Sequence, residues 1–159
     1  FLLRVELMRY SYYTGYTTAG SMIDTTVRFE NAGEFLAYLP RSAQIGFLAP
    51  FPQHWVAHGA SPGGSMMRRI AGLEMLVLYP LLLFGIPMAF WHWWKYPELW
   101  IAGILCGVTV IAYAFLTPNL GTLYRLRYGF LMTIAAIGLA CIWASVGFLR
   151  GGSPLKGQL

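Results

Sequence analysis

An apolar run at residues 70–90 limits the possible folds of this chain more than any other feature of the sequence. As a helix the run is about 31 Å long, at ~1.5 Å per residue, which matches the ~30 Å hydrocarbon core of a bilayer. Glu74 is its one charged residue. Of all 159 residues, 57% are hydrophobic and 11% are charged, whereas soluble domains carry about 25% charged residues. We therefore predict an integral membrane protein.

Two more apolar segments follow, and each is bounded by residues that favour an interface or a turn. We predict spans at residues 66–90, 98–116 and 128–149. The first is expected to kink at Pro80 and Pro87, which helices in lipid tolerate when neighbours satisfy the freed carbonyls. The aromatic sequence WHWWKYPELW separates the first two spans and is typical of a membrane–water interface.

Small residues recur at helical spacing in the second and third predicted spans. Gly103 and Gly107 are four residues apart, and Ala136, Ala140 and Ala144 continue the same spacing on the third span. Such ridges allow two helix backbones to approach closely. We therefore expect both ridges to pack against other helices.

The stretch before the spans, residues 31–49, has a helical pattern but is too short to cross a bilayer. Asn31 is placed to cap it, with Glu34 at the third helical position. Glu34, Tyr38 and Arg41 share one face, and the other face carries an apolar stripe of Leu36, Leu39, Ala43 and Phe47. Pro40 is expected to bend or break the helix. A helix of this kind is predicted to lie flat in the interface.

The predicted architecture is an all-α membrane protein with one interfacial amphipathic helix followed by three transmembrane helices. Residues 1–65 form an extramembrane or interfacial region, residues 66–150 the three-helix transmembrane domain, and residues 151–159 a flexible tail. The chain begins at Phe1, and its first residues are too charged for a signal-peptide core. We therefore expect the sequence to be part of something longer.

Five charged residues are candidates for binding an anion or another ligand. Guanidinium groups bind phosphate by paired hydrogen bonds, which makes Arg28, Arg41, Arg125 and Arg127 candidates. Membrane topology alone explains Arg125 and Arg127, because arginines accumulate beside cytoplasmic span ends, but it does not require Arg41. Glu74 lies inside a span, where a carboxylate must face a partner, a cavity or the interface. A near-interface ion pair with Arg68 or Arg69 explains Glu74 equally well.

The histidines are weaker candidates for a metal or a pigment. His54 and His58 are four residues apart, so that on a helix both would face one way and could ligate a metal. Headgroup contacts at an interface explain them more simply. His92, among tryptophans, could ligate a tetrapyrrole, although aromatic-belt residues are commoner. No cofactor is predicted, and no nucleic-acid partner, because the arginines are scattered. No catalytic motif appears, which leaves open whether the chain is an enzyme.

Two parts of the sequence resemble a known group of membrane proteins. They are IDTTVRF with FENAGEFLAYLPRSAQIGFLAPFPQHW, and NLGTLYRLRYGFLMTIAAIGL. Over residues 21–140 the pattern is similar to the C-terminal part of bacterial polytopic proteins of cell-surface polysaccharide assembly, described as polymerase-like or glycosyltransferase-like. The resemblance implies more spans upstream. It also implies that Arg41 and the loop with His54 and His58 lie beside a lipid-pyrophosphate-linked glycan.

Two functional hypotheses follow from these patterns. The first is a membrane-embedded, possibly partial, component of envelope polysaccharide assembly that contacts a lipid-linked anionic glycan. The alternative is a non-catalytic accessory subunit of a large membrane complex, such as a photosynthetic or respiratory assembly, in which His92 contacts pigment or lipid. Both place a multi-pass chain in the bacterial inner membrane. Its partners are then the bilayer and either other subunits or an upstream part of the same chain.

Overall fold

The structure, a computed structural model, describes residues 2–15, 21–56, 62–92, 94 and 96–149. Helices account for about 84% of these residues, and the described part of the chain contains no strand. The predicted tail, residues 151–159, lies outside it. The helices are α1 (Leu2–Gly15), α2 (Ala32–Ala37), α3 (Leu39–Leu48), α4 (Pro52–Trp55), α5 (Pro62–His92), α6 (Pro97–Leu116) and α7 (Leu120–Leu149).

Helices α5, α6 and α7 are long and apolar enough to cross a membrane, with mean hydropathies of 1.9, 2.2 and 2.0 over their most apolar windows. The predicted all-α membrane protein with three spans is thus confirmed. Helix α5 continues through Pro80 and Pro87. Helix α7 begins at Leu120 and not at residue 128, because the side-chain oxygen of Asn119 accepts a hydrogen bond from the Gly121 nitrogen at 3.0 Å and caps the helix.

Successive spans run in opposite directions, so the start of α5, the end of α6 and the start of α7 share one end of the bundle, here called the proximal end. The distal end holds the α5–α6 connection. The segment after α1 joins the proximal end through main-chain hydrogen bonds from Ile23 to Pro118, at 2.8 Å, and from Leu120 to Ser21, at 2.9 Å. The residues that precede the spans are therefore part of the folded bundle.

The closest helix contact lies between α5 and α7, where two glycines meet. A Cβ atom added to Gly85 would lie 2.5 Å from the Cα atom of Gly138, so neither position has room for a side chain. The predicted small-residue ridges do not make this contact. Nothing lies within 4 Å of a Cβ atom at Gly103, and Ala136 and Ala140 are exposed. Within the described bundle, the closest helix contact therefore involves glycines outside both ridges.

The predicted helix over residues 31–49 forms as two helices that meet at Tyr38. Asn31 caps α2 as expected: its side-chain oxygen accepts a hydrogen bond from the Glu34 nitrogen at 2.9 Å. The Glu34 carboxylate in turn accepts one from the Glu30 nitrogen at 2.8 Å. The break follows from Pro40, which has no N–H to continue α2 but fits the first turn of α3.

Helix α3 lies alongside the second half of α6 and runs antiparallel to it. Near the start of α3, the ring of Tyr38 lies 5.5 Å from that of Phe115. Near its end, Gly46 lies against Val110. These partners on α6 are about 8 Å apart along the helix axis, at ~1.5 Å per residue. Helix α2 buries no residue, whereas α3 buries Ser42, Ile45 and Gly46.

After α3 the chain turns back towards the proximal end. At the turn, the Tyr79 hydroxyl donates a hydrogen bond to the Leu48 oxygen at 2.7 Å. Trp55 lies against Gly72, where a Cβ atom would be 2.7 Å from the indole. Gly72 is seven residues before Tyr79 on α5, about 10 Å nearer the proximal end. Residues 39–56, here called the re-entrant hairpin, thus enter and leave the bundle by the same end.

Candidate functional site

The inner end of the re-entrant hairpin is held by Arg127, whose side chain is 1% exposed. Its Nη1 donates a hydrogen bond to the Ile45 oxygen at 3.1 Å and another to the Gly46 oxygen, and its Nη2 donates to the Ala49 oxygen. These acceptors are carbonyls of the last turn of α3 and its cap. The last carbonyls of a helix lack partners within the helix and carry partial negative charge. Arg127 therefore supplies both donors and the opposite charge.

Two aromatic residues donate hydrogen bonds to two further carbonyls of the turn. The Trp55 indole nitrogen donates to the Pro50 oxygen at 2.7 Å, and the Tyr79 hydroxyl donates to the oxygen of Leu48. Their rings stack, with centroids 6.1 Å apart. Hydrocarbon offers no water to these groups, so a re-entrant segment is stable only where protein satisfies its backbone. Arg127, Tyr79 and Trp55 meet that requirement here.

A second buried arginine, Arg9, holds the end of α6 in a similar way. It is 2% exposed, and its Nη1 donates to the Phe115 oxygen at 2.8 Å. Its Nη2 donates to the Asp24 main-chain oxygen at 3.0 Å and to the Tyr13 hydroxyl at 3.1 Å. The guanidinium carbon also lies 5.5 Å from the ring centroid of Phe29. Arg9 thus joins α1, the following segment and α6.

Asp24 links this region to Arg41 at the start of α3. Arg41 donates from Nε to Oδ2 of Asp24 at 2.9 Å and from Nη2 to Oδ1 at 3.1 Å, and the Tyr38 hydroxyl donates to Oδ2 at 3.0 Å. Paired hydrogen bonds of this kind bind a carboxylate firmly. The anion bound by Arg41 is therefore one that the chain itself provides.

These contacts change the acid–base behaviour of all three groups. Partial burial acts to raise the pKa of Asp24, but hydrogen bonds from Arg41 and Tyr38, with the charges of Arg41 and Arg9, outweigh it and hold the pKa below its usual 3.8. Burial and then the charge of Asp24 raise the pKa of Tyr38 to about 12. The hydrogen bonds to Asp24 raise the pKa of Arg41. At neutral pH, Asp24 and Arg41 are both charged.

The predicted anion-binding arginines fall into two groups. Arg41 and Arg127 bind groups within the chain, as described above. Arg28 and Arg125 are exposed and lie at the proximal end. Arg28 precedes Phe29, whose ring lies 5.9 Å from the ring of Phe115 near the end of α6. Arg125 lies in the second turn of α7. Neither forms an ion pair within the described part of the chain. Their guanidinium groups face the surroundings.

Glu74 lies on α5, half-buried, and faces α7. Its Oε2 accepts a hydrogen bond from the Tyr124 hydroxyl, and the Tyr124 ring lies 6.0 Å from the Tyr128 ring. A carboxylate within a span requires a partner of this kind. The structure thus gives Glu74 a partner, Tyr124 on the neighbouring span α7. Tyr124 lies within one helical turn of Arg125 and Arg127.

The structure leaves the histidine pair incomplete. His54 lies on α4, its ring centroid is 6.1 Å from that of Phe51, and its Nδ1 is buried with no partner among the described residues. His58 lies outside the described residues, and so does the side chain of His92. Within the described ranges, no three His, Cys, Asp or Glu side chains are grouped as metal ligands would be.

The sequence did not indicate two residues that join distant elements, Arg9 and Tyr79. Arg9 binds Phe115, 106 positions away, and Tyr79 binds Leu48, 31 positions away. Arg9 lies in a stretch with two other charged residues nearby, and Tyr79 lies in a uniformly apolar span. No local pattern distinguishes either residue from an ordinary surface arginine or a lipid-facing tyrosine.

No protein-family model, curated protein or solved structure matches this chain. The fold and the contacts within it are therefore the basis for any functional conclusion.

Proposed function

We propose that the chain is a membrane-embedded component of bacterial envelope polysaccharide assembly and binds a lipid-linked anionic glycan at its proximal end. The observation that carries the proposal is the exposure of Arg28 and Arg125 on elements of the proximal end of the bundle. Pyrophosphate-linked glycans carry their charge at the membrane surface. Guanidinium groups bind such phosphates by paired hydrogen bonds.

The charge distribution gives the orientation of the bundle in the membrane under this proposal. Four exposed arginines belong to elements of the proximal end: Arg4, Arg28, Arg69 and Arg125. Lys95, Arg150 and Lys156 follow the distal ends of α5 and α7 in the sequence. An excess of arginine beside short loops marks the cytoplasmic side of a bacterial inner membrane. In this orientation the glycan is bound at the cytoplasmic surface, where the anionic lipid of the inner leaflet also lies.

The hairpin supports the proposal because it shapes the surface next to these arginines. Arg127 fixes its inner end, and the pair of Arg41 and Asp24 fixes its entry. A fixed hairpin leaves the neighbouring arginines on a stable surface, so that less conformational entropy is lost when the anion binds. In this proposal Arg41 and Arg127 position the surface, and Arg28 and Arg125 contact the ligand.

The test is a binding measurement with purified protein in nanodiscs and a polyprenyl pyrophosphate-linked oligosaccharide. Replacing Arg28 and Arg125 together with Gln is expected to raise the Kd at least about 100-fold, since each lost paired contact weakens binding by about tenfold, or ~1.4 kcal/mol. The matched control replaces Arg4 and Arg69 with Gln and removes the same charge. Unchanged binding in the first variant, or an equal loss in both, would contradict the proposal.

A different observation favours the accessory subunit as a second candidate. Ala136 and Ala140 form an exposed small-residue strip on α7, and Trp143 beside it is 77% exposed. A helix of another subunit, or of an upstream part of the same chain, could pack closely on this strip. Replacing Ala140 with Leu should then release a co-purifying membrane subunit, whereas glycan binding should be unaffected. In a pigment complex, His92 is the side chain to test as a tetrapyrrole ligand.

A further inference from the structure

A groove of about 210 Å³ lies between α5, α6 and α7 in the distal half of the bundle. Every side chain along it is apolar, and its floor and ends include Phe47, Gly85, Phe90, Trp100, Gly103 and Gly107. Isoleucines at its rim, among them Ile104 at 61% exposure, face outward from the bundle. The groove therefore opens sideways, towards the hydrocarbon that surrounds the spans.

Glycines give the groove its depth. A Cβ atom at Gly103 would meet nothing within 4 Å, and one at Gly107 would meet only Phe47, at 3.7 Å. The close contact of Gly85 with Gly138 closes the back of the groove. Phe47, from the inner part of the re-entrant hairpin, closes the end near the middle of the bundle. At the distal end, the rings of Phe90 and Trp100 lie 4.3 Å apart.

The dimensions of the groove match one leaflet of a bilayer. Along α6 it extends from Leu99 to Gly107, which is about 12 Å at ~1.5 Å per residue. Half of a ~30 Å hydrocarbon core is about 15 Å. Its outer end lies at the aromatic residues that follow α5, where Trp94 and Trp100 have rings 6.0 Å apart. Aromatic residues of this kind mark the level of the lipid headgroups.

We propose that the groove binds one acyl chain of a phospholipid from the distal leaflet. The headgroup then lies at the aromatic residues Trp94 and Trp100, and the chain end reaches Phe47. An apolar lining inside the spans has no partner for water or a polar ligand. The site goes beyond the proposed glycan binding, which takes place at the opposite end.

The experiment uses a phospholipid with a photoreactive diazirine near the end of its acyl chain, incorporated into nanodiscs with the protein. Mass spectrometry then locates the adducts. We expect them to concentrate on groove residues within 85–90, 99–107 and 134–138. Labelling spread evenly over the lipid-facing surfaces of all three spans would overturn the proposal, and this measurement needs no variant.

A matched pair of variants tests the site directly. Gly103→Leu fills the groove and should lower the yield of groove adducts at least about tenfold, equivalent to ~1.4 kcal/mol. Gly129→Leu makes the same change at an exposed glycine of α7 that also has open space around it, and should leave the yield unchanged. Persistence of the adducts in Gly103→Leu would refute the acyl-chain site. Preferential labelling of the groove by a photoreactive polyprenyl phosphate over the phospholipid would also refute it. The same holds if Gly103→Leu dissociates a dimer of this chain and leaves the yield of lipid adducts unchanged.

Discussion

The Nη1 atom of Arg9 lies 2.8 Å from the main-chain oxygen of Phe115 and donates a hydrogen bond to it. The contact joins the first helix to the last turn of α6. Arg127 makes the corresponding contact with the end of α3. Two buried guanidinium groups thus compensate two helix C-termini, at positions where water cannot satisfy the free carbonyls.

The first prediction concerns Arg127. Replacing it with Met should lower the free energy of unfolding by about 3 kcal/mol, because buried carbonyls at the end of α3 lose their donors. Denaturant unfolding in detergent micelles, followed by circular dichroism, measures the effect. Arg125→Met is the control, since Arg125 is exposed two residues earlier. Equal stability of the two variants would show that Arg127 does not hold the hairpin.

The second prediction concerns Arg9. Arg9→Met should lower the free energy of unfolding by about 2 kcal/mol, because the oxygens of Phe115 and Asp24 lose a charged donor. Detachment of α1 should also expose the first thirty or so residues to protease, which gel analysis of the fragments detects. Arg4→Met, at an exposed position of the same helix, should cleave at the wild-type rate. Similar cleavage of both variants would contradict the assigned role.

The third prediction concerns the crossing of α5 and α7. Gly85→Ala should lower the free energy of unfolding by about 2 kcal/mol, because the new methyl group overlaps the Gly138 backbone and forces the helices apart. The same change at Gly129 adds a methyl group in open space and should be neutral or stabilising, by up to ~1 kcal/mol. A Gly85→Ala protein with the wild-type free energy of unfolding would show that α5 and α7 can move apart without loss of stability.

The fourth prediction is an acid-dependent loss of stability from Asp24. Its folded-state pKa lies below the usual 3.8, so the carboxylate stabilises the fold above that pH. The contribution is lost as the pH falls from about 4 towards the lowered value. Asp24→Asn should remove this part of the pH dependence. Asn also tolerates the backbone at this position, where φ is 50°. Melting temperatures between pH 3 and 7 measure the difference; parallel curves for both proteins would exclude the assignment.

The spans and the Asn31 cap were predictable because their signals are local: apolar length for the spans, and a polar residue three positions before Glu34 for the cap. The re-entrant hairpin was not, because residues 39–49 are stabilised by Arg127, about eighty positions later in the chain. Without that partner the same pattern indicates a surface helix. The early start of α7 was missed for a smaller reason, since Asn119 beside Pro118 and Gly121 is equally typical of a loop.

Among the candidate site residues, the sequence offered no means of separating the roles of the four arginines. Arg41 and Arg127 are paired within the chain, and Arg28 and Arg125 are exposed. The distinction depends on Asp24 and on the end of α3, which are distant from their partners in sequence. Hydropathy likewise predicted the apolar spans but not the groove between them, whose depth comes from Gly103 and Gly107.

The position of Arg127 has a consequence for how the protein is made. The hairpin leaves the ribosome before α6 and α7 exist, and its carbonyls receive their donor only about eighty residues later. At ~5–20 residues per second, that interval lasts roughly 4–16 s. During it, residues 39–56 have an unsatisfied backbone that hydrocarbon would reject. Biosynthesis should therefore keep this segment at the membrane surface, and its entry into the bundle should follow the insertion of the last span.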